Sequence, residues 1–207
     1  MLVVVGGHSR NIGKTAVVAG LIRRLRDRQW TAVKITQYGH GRCSRDGEAC
    51  ACEPADGAEH PFALTEEYAP GSTDSGRFLA AGAERSFWLR TPSGGLPRVR
   101  TTIEKLLAQS RYVIAESNSL LELVEPDLFL MILDFSCRDF KPSSLRFLDR
   151  AHAFVVIDRG INAPLWEDVA RGLWDSKPQF LVKPPRYVTA ELADFVRARI
   201  SVEAFRA

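Results

Sequence analysis

The stretch Val3-Val4-Val5-Gly6-Gly7-His8-Ser9-Arg10-Asn11-Ile12-Gly13-Lys14-Thr15 decides how the rest of the chain reads. It begins in a short apolar run, Leu2–Val5, of the kind that forms a strand buried on both faces. It ends in Lys14–Arg28, where Val17, Val18, Leu21, Ile22 and Leu25 recur at helical spacing. The loop between them is flanked by glycines. Successive backbone N–H groups of such a loop can turn inward on a polyphosphate, and the helix that follows adds its positive N-terminal end. Lys14 is placed to reach the β- and γ-phosphates, and the Thr15 hydroxyl suits Mg²⁺, a hard cation that prefers oxygen. The expected nucleotide-binding set is therefore Gly7, His8, Ser9, Arg10, Asn11, Ile12, Gly13, Lys14, Thr15 and Ala16. The competing interpretation is an ordinary glycine-rich strand-to-helix turn that happens to contain Gly-Lys-Thr; within the loop, the alternative for His8 is a side chain that faces solvent.

Outward from this unit the chain alternates. Thr31–Thr36 reads as a second strand, Asp74–Glu84 as a small-residue helix, Ser86–Leu89 as a strand and Pro97–Gln109 as a helix. Tyr112–Glu116, Leu128–Leu133, Ala153–Ile157 and Phe180–Val182 read as four more strands, with helices over about 142–150, 164–173 and 188–201. The alternation predicts an α/β fold, a doubly wound and mostly parallel sheet in three layers, over one domain spanning 1–207. With 207 residues, 45% of them hydrophobic, the chain is large enough to bury a core without disulfides. No apolar run is long enough to cross a bilayer, and Met1–Gly7 is too short for a signal peptide, so the expected location is the cytoplasm. A net charge of +3 is too even to imply nucleic acid.

Two of the six lysines sit where chemistry would want them: Lys14, and Lys34 at the end of the second strand. Ligands of open α/β sheets bind at the carboxyl ends of the strands, so Lys34 could hold a phosphate or a carboxylate there. Glu116 follows an apolar strand directly and could hold Mg²⁺, or orient an attacking group. Lys14, Lys34 and Glu116 are the expected catalytic residues, with Thr15 and Glu116 on the metal. Asp74 and Arg77, one helical turn apart, suit either an intrahelical ion pair or the site. Asp134, Asp139 and Lys141 are secondary candidates on the same sheet edge.

Residues 37–73 break the alternation. A structureless stretch of this length is uncommon in a compact domain and argues for a functional insertion. Within it, His40, Cys43, Cys50, Cys52 and His60 supply thiolate and imidazole ligands. Zinc is the expected metal, with an iron–sulfur cluster or unligated thiols as alternatives. Cys137, far from this group, reads as a small buried hydrophobe, and His152 as structural.

From Gly7 to Gly13 the loop has five intervening residues, one more than usual. In this it resembles dethiobiotin synthetase and the cobyrinic acid amide synthases, members of the P-loop NTPase class. His8, Ser9 and Arg10 stand where the ATPases that resemble the cell-division regulator carry an extra lysine. Further along come Val33-Lys34-Ile35-Thr36 with His40 after it, Asp74-Ser75-Gly76-Arg77 leading to Ala81-Gly82-Ala83, and Val113-Ile114-Ala115-Glu116. In this order residues 1–120 are similar to the molybdopterin-guanine dinucleotide biosynthesis protein B family. Its loop is one residue shorter, its Asp–Arg spacing is often one residue wider, and it lacks the cysteine-rich insertion.

The resemblance implies Mg²⁺-dependent binding and hydrolysis of ATP or GTP in cofactor biosynthesis, with molybdenum cofactor the suggested pathway. It also implies a dimer and a cofactor-biosynthesis partner. The GTP-specifying Asn-Lys-x-Asp pattern is absent. By analogy with the class, the base would lie near Val156–Arg159 and Val182–Pro185. A nucleotide-switched metallochaperone using the insertion, and an ATP-dependent carboxylate-activating synthetase using Lys34, are the alternative functions.

Overall fold

The computed structural model describes residues 1–39 and 62–202. The candidate metal ligands His40, Cys43, Cys50, Cys52 and His60 lie outside them. The eight strands are β1 (Leu2–Gly7), β2 (Trp30–Tyr38), β3 (Ala63–Glu67), β4 (Arg85–Pro92), β5 (Tyr112–Glu116), β6 (Leu128–Asp134), β7 (Ala153–Ile157) and β8 (Gln179–Val182). The helices are α1 (Lys14–Arg24), α2 (Asp74–Ala81), α3 (Arg100–Ala108), α4 (Pro142–Leu145) and α5 (Ala190–Val202). The sheet runs β3-β4-β2-β5-β1-β6-β7-β8. Every neighbouring pair is parallel except β3 with β4. The expected α/β, doubly wound, mostly parallel sheet is thus what the chain forms.

Strand alternation sends side chains to two cores. Val3, Val5, Ala32 and Ile114 pack under α1, α2 and α5. Val4, Val33, Val113 and Met131 face the opposite layer with α3 and the chain between β6 and β8. The predicted stripe Val17, Val18, Leu21, Ile22 and Leu25 is fully buried. Each such side chain contributes roughly 2 kcal/mol by leaving water. Helix α1 stops at Arg24, short of the expected Arg28. The carbonyl of Leu25 accepts the indole N–H of the buried Trp30 at 3.0 Å, which ties the chain down before β2.

The sequence pattern misplaced three further features. β3, an antiparallel edge strand, lies inside the stretch expected to be irregular. The helix over 142–150 shrinks to α4 and a 3₁₀ turn at Leu148–Arg150. The helix over 164–173 does not form, and only a 3₁₀ turn at Arg171–Leu173 appears. Trp166 explains that loss. Its ring packs 5.4 Å from Phe135 and 5.2 Å from Phe140, and Leu165 N–H bonds Phe135 O at 2.9 Å. The segment is shaped by aromatic packing in place of a helical ladder.

β1 lies between β5 and β6, the strands that feed opposite wings of the sheet. That reversal opens a crevice at the carboxyl end of β1, where α/β sheets hold their ligands. Among the described residues no helix is long and apolar enough to cross a membrane.

Candidate functional site

β1 ends at Gly7 and α1 starts at Lys14, so the quoted loop sits at the crevice. Gly13 caps α1 with φ 95°, and a Cβ there would lie 2.5 Å from the Tyr187 ring. The left-handed backbone and the ring together demand glycine. The first helical bond runs from Val17 N–H to Gly13 O at 3.0 Å. The N–H groups of the first turn, at Lys14, Thr15 and Ala16, have no intrahelical acceptor. No side chain caps them, and no acid stands in that turn. This is the chemistry of an anion site at a helix N-terminus.

Arg10 and Asn11 are exposed at the loop tip, and Asn11 adopts φ 55°. Ile12 is buried and anchors the loop to the core. His8 corrects the solvent-facing reading, because it is fully buried. Its Nε2 accepts the Asp134 N–H at 3.1 Å, which leaves Nδ1 to donate to Asp139 O at 3.1 Å. The ring packs against Phe140 and Trp166. Burial pushes its pKa down to about 4, so the imidazole is neutral, as this tautomer requires. The His8 backbone is engaged as well, its N–H donating to Ile132 O at 3.1 Å. Ser9 is also turned inward, its hydroxyl donating to Asp139 Oδ2 at 2.5 Å.

The charged residues gather around the first turn of α1. Lys14 Nζ donates to Ser9 O at 2.8 Å, and burial holds its ammonium below the usual lysine value against the pull of Glu116. Thr15 Oγ1 donates to Glu116 Oε2 at 2.8 Å, and Asp74 lies within reach of the same hydroxyl. Lys34 Nζ bridges both acids, bonding Glu116 Oε1 and lying 2.9 Å from Asp74 Oδ2. Burial works against the Lys34 charge, but Glu116 and Asp74 outweigh it and hold the ammonium above its usual value. Burial likewise opposes the Asp74 charge, and Lys34 overcomes it, so Asp74 stays below the usual carboxylate range. Register explains the meeting: Lys34 pairs with Glu116 across β2 and β5, so the two point to one face. Thr73 caps α2 by accepting Gly76 N–H at 2.9 Å and so sets Asp74 at its start. The intrahelical Arg77–Asp74 pair forms too, longer at 3.8 Å.

Asp134 is taken up elsewhere. It accepts the Ser136 N–H at 3.0 Å and hydroxyl at 2.6 Å, and pairs with Arg159 at 3.4 Å. Cys137 is half-buried beside the core. His152 accepts the Phe129 N–H at 2.9 Å. Asn118 escaped the sequence reading, although it stands two residues after Glu116. Its Oδ1 accepts Gly7 N–H and its Nδ2 donates to Gly7 O, both at 2.9 Å, and Nδ2 also donates to Ser144 Oγ at 2.7 Å. A side chain here extends the ladder of β5 by one rung and fixes the start of the loop. Asp158 N–H bonds Val182 O at 2.8 Å, which holds the ends of β7 and β8 together.

The chain thus places a lysine–threonine loop at the switch point of a mostly parallel α/β sheet. No family model matches the chain, and no curated protein matches it in sequence. Among solved structures, it is similar to the "apo" form of LpxK from Aquifex aeolicus in complex with ATP, at 18% identity and TM-score 0.45. That likeness covers 87% of this chain and 53% of LpxK, so the chain spans about half the length of that protein. It is also similar to HypB from Helicobacter pylori in complex with nickel, at 13% identity and TM-score 0.49, over 97% of this chain and 87% of HypB.

Proposed function

We propose that the chain binds the magnesium complex of ATP or GTP in this loop and hydrolyses or transfers its γ-phosphoryl group. The observation that carries the reading is the convergence of Lys14, Thr15, Lys34, Glu116 and Asp74 on the uncapped N-terminus of α1. The donors around Thr15 are a hydroxyl and two carboxylates, all oxygen, which suits Mg²⁺. Thr15, Glu116 and Asp74 would hold that ion, which when bound neutralises phosphate charge and polarises the group being transferred.

This chain's own residues do the rest. The N–H groups at the start of α1 orient the phosphates. Lys14 exchanges the Ser9 carbonyl for phosphate oxygens. Lys34, held by the two acids, stays protonated and faces the outgoing or incoming group. Catalysis of this kind is positioning and charge neutralisation. The similarity of residues 1–120 to the molybdopterin-guanine dinucleotide biosynthesis protein B family supports a role in cofactor biosynthesis.

Titration calorimetry with Mg–ATP and Mg–GTP tests the reading. We expect saturable binding of at least one nucleotide, lost in Lys14→Ala. No binding by the wild type, or retained affinity in the variant, overturns it.

A further inference from the structure

Three contacts strap the segment after β6 onto the loop. His8 donates to Asp139 O, Ser9 donates to Asp139 Oδ2, and the Lys141 N–H donates to His8 O at 2.9 Å. Phe140, between the two bonded residues, seats its ring 5.0 Å from that of His8. Lys141 is therefore held one hydrogen bond from the loop. Its backbone is extended at the start of α4, and Pro142 fixes the helix behind it.

The Lys141 side chain is half-buried, and the charges around it are mostly of its own sign. After burial, Lys14 and Arg10 do most to depress its ammonium, to about 8. Asp139 pulls the other way and Lys34 adds to the repulsion. Asp139 is itself engaged by Ser9. Lys14, Arg10 and Lys34 thus lie near enough to repel the Lys141 ammonium, and among the described residues no salt bridge engages Lys141. Crowded, half-desolvated like charges are costly unless an anion compensates them.

Position in the sheet adds a direction. Lys34 and Glu116 approach β1 from the β5 side, whereas Lys141 follows β6, on the other side of β1. A polyphosphate lying along the loop would have Lys34 on one flank and Lys141 on the other.

We propose that Lys141 is a phosphate-contacting residue, delivered by the His8–Asp139–Ser9 strap to the terminal phosphoryl group of the bound triphosphate. The inference rests on the nucleotide reading above. In hydrolysis the bond from the γ-phosphorus to the β–γ bridging oxygen breaks, and its electron pair leaves with the nucleoside diphosphate. A bond forms from phosphorus to the oxygen of water, whose proton passes to the phosphate product or to solvent. Lys141 keeps its own proton throughout and balances charge on the γ-phosphoryl oxygens from the flank that Lys34 does not cover.

The test compares wild type, K141M and K141R. Three quantities are read: melting temperature, the turnover and KM of nucleotide hydrolysis, and proton uptake on binding the β,γ-imido analogues of ATP and GTP with Mg²⁺. Uptake is measured by calorimetry at pH 8 in buffers of different ionisation enthalpy. Near pH 8 a bound triphosphate should complete the protonation of Lys141, so the wild type takes up a fraction of a proton. Both variants lose that fraction, one because arginine is already charged and the other because methionine has no charge. Lys14 also titrates low, as burial directs, so the difference between wild type and K141R reports on Lys141. Turnover should fall about 100-fold in K141M, the scale of losing one charge-stabilising donor, with KM changed far less. K141R should restore part of it.

K141M with wild-type turnover, or K141R with wild-type proton uptake, would overturn the inference. K141R keeps it falsifiable even where K141M fails to fold. A wild type that binds neither analogue would instead remove the nucleotide reading beneath it.

Discussion

Asn118→Ala isolates how the loop between β1 and α1 is anchored. The wild-type amide makes three hydrogen bonds, to the N–H and C=O of Gly7 and to Ser144 Oγ. The Gly7 carbonyl keeps its 2.8 Å bond from Ser144 in the variant, so the group left orphaned is the Gly7 N–H. At roughly 1 kcal/mol net for each bond, the loss is about 3 kcal/mol. The backbone at 118 is ordinary αR, which alanine adopts freely, so no conformational penalty obscures the result. Urea unfolding should show the midpoint falling by about 1 M at an unchanged slope of about 2–3 kcal/mol per M.

Gly6 sharpens the test, because a Cβ on it would lie 2.2 Å from Asn118 Oδ1 and 2.8 Å from the Phe129 ring. Gly6→Ala should therefore be severely destabilising alone. In the Asn118→Ala background the amide clash is gone, so the double variant should be more stable than the sum of the singles by over ~1 kcal/mol. A strictly additive cycle, or an Asn118→Ala variant within ~0.5 kcal/mol of wild type, would refute the anchoring argument.

Two further outcomes are expected, one from the structure and one from the sequence. The His8 pKa falls from 6.5 unfolded to about 4 folded, chiefly through burial, so the unfolded chain binds the extra proton between those values. Its contribution is complete above pH 6.5 and is lost as the pH falls to 4, a change on the order of 3 kcal/mol. His8→Gln should flatten this part of the stability–pH curve, and an unchanged curve would disprove the buried neutral imidazole. For the insertion we propose a bound metal, expected as zinc. Cys50→Ser with Cys52→Ser should bring metal in the purified protein to near zero, and unchanged metal content would clear those thiols of the role.

The parts of this chain that could be read early are those in which one residue answers to one force. Val17, Val18, Leu21, Ile22 and Leu25 had only to be apolar at helical spacing, and all five are buried. Tyr112–Glu116 and Ala153–Ile157 have the bounds that their apolar runs suggest. Glu116 could be named because it ends β5; Lys34 stands near the end of the expected strand Thr31–Thr36, but β2 runs on to Tyr38, and Lys34 meets Glu116 only through the β2–β5 register, which spacing does not carry. Where two forces compete, pattern was a poor guide. Residues 164–173 have adequate helical propensity, but Trp166 is worth more in the aromatic cluster around His8 than in a helical turn. His8 looked like a polar loop residue because its partners, the Asp134 amide and the Asp139 carbonyl, are more than a hundred residues away.

Those distant partners bear on how the site works. A phosphate loop needs flexible backbone to wrap an anion, but it must not collapse onto its own donors. Here the amide of Asn118 pins its first residue, and the imidazole of His8 pins its second to the chain after β6. Gly13 and Tyr187 fix its far end. Only the middle, Arg10 and Asn11, is exposed. Meanwhile the polar and charged groups are satisfied within the protein: Lys14 on a carbonyl, Thr15 on Glu116, and Lys34 between two carboxylates. For the nucleotide proposed above, binding would be an exchange of partners on a fixed frame, in which little backbone ordering has to be offset by the new contacts. On the proposed reading, a frame of this kind makes nucleotide affinity depend on Lys14 and the ends of the loop.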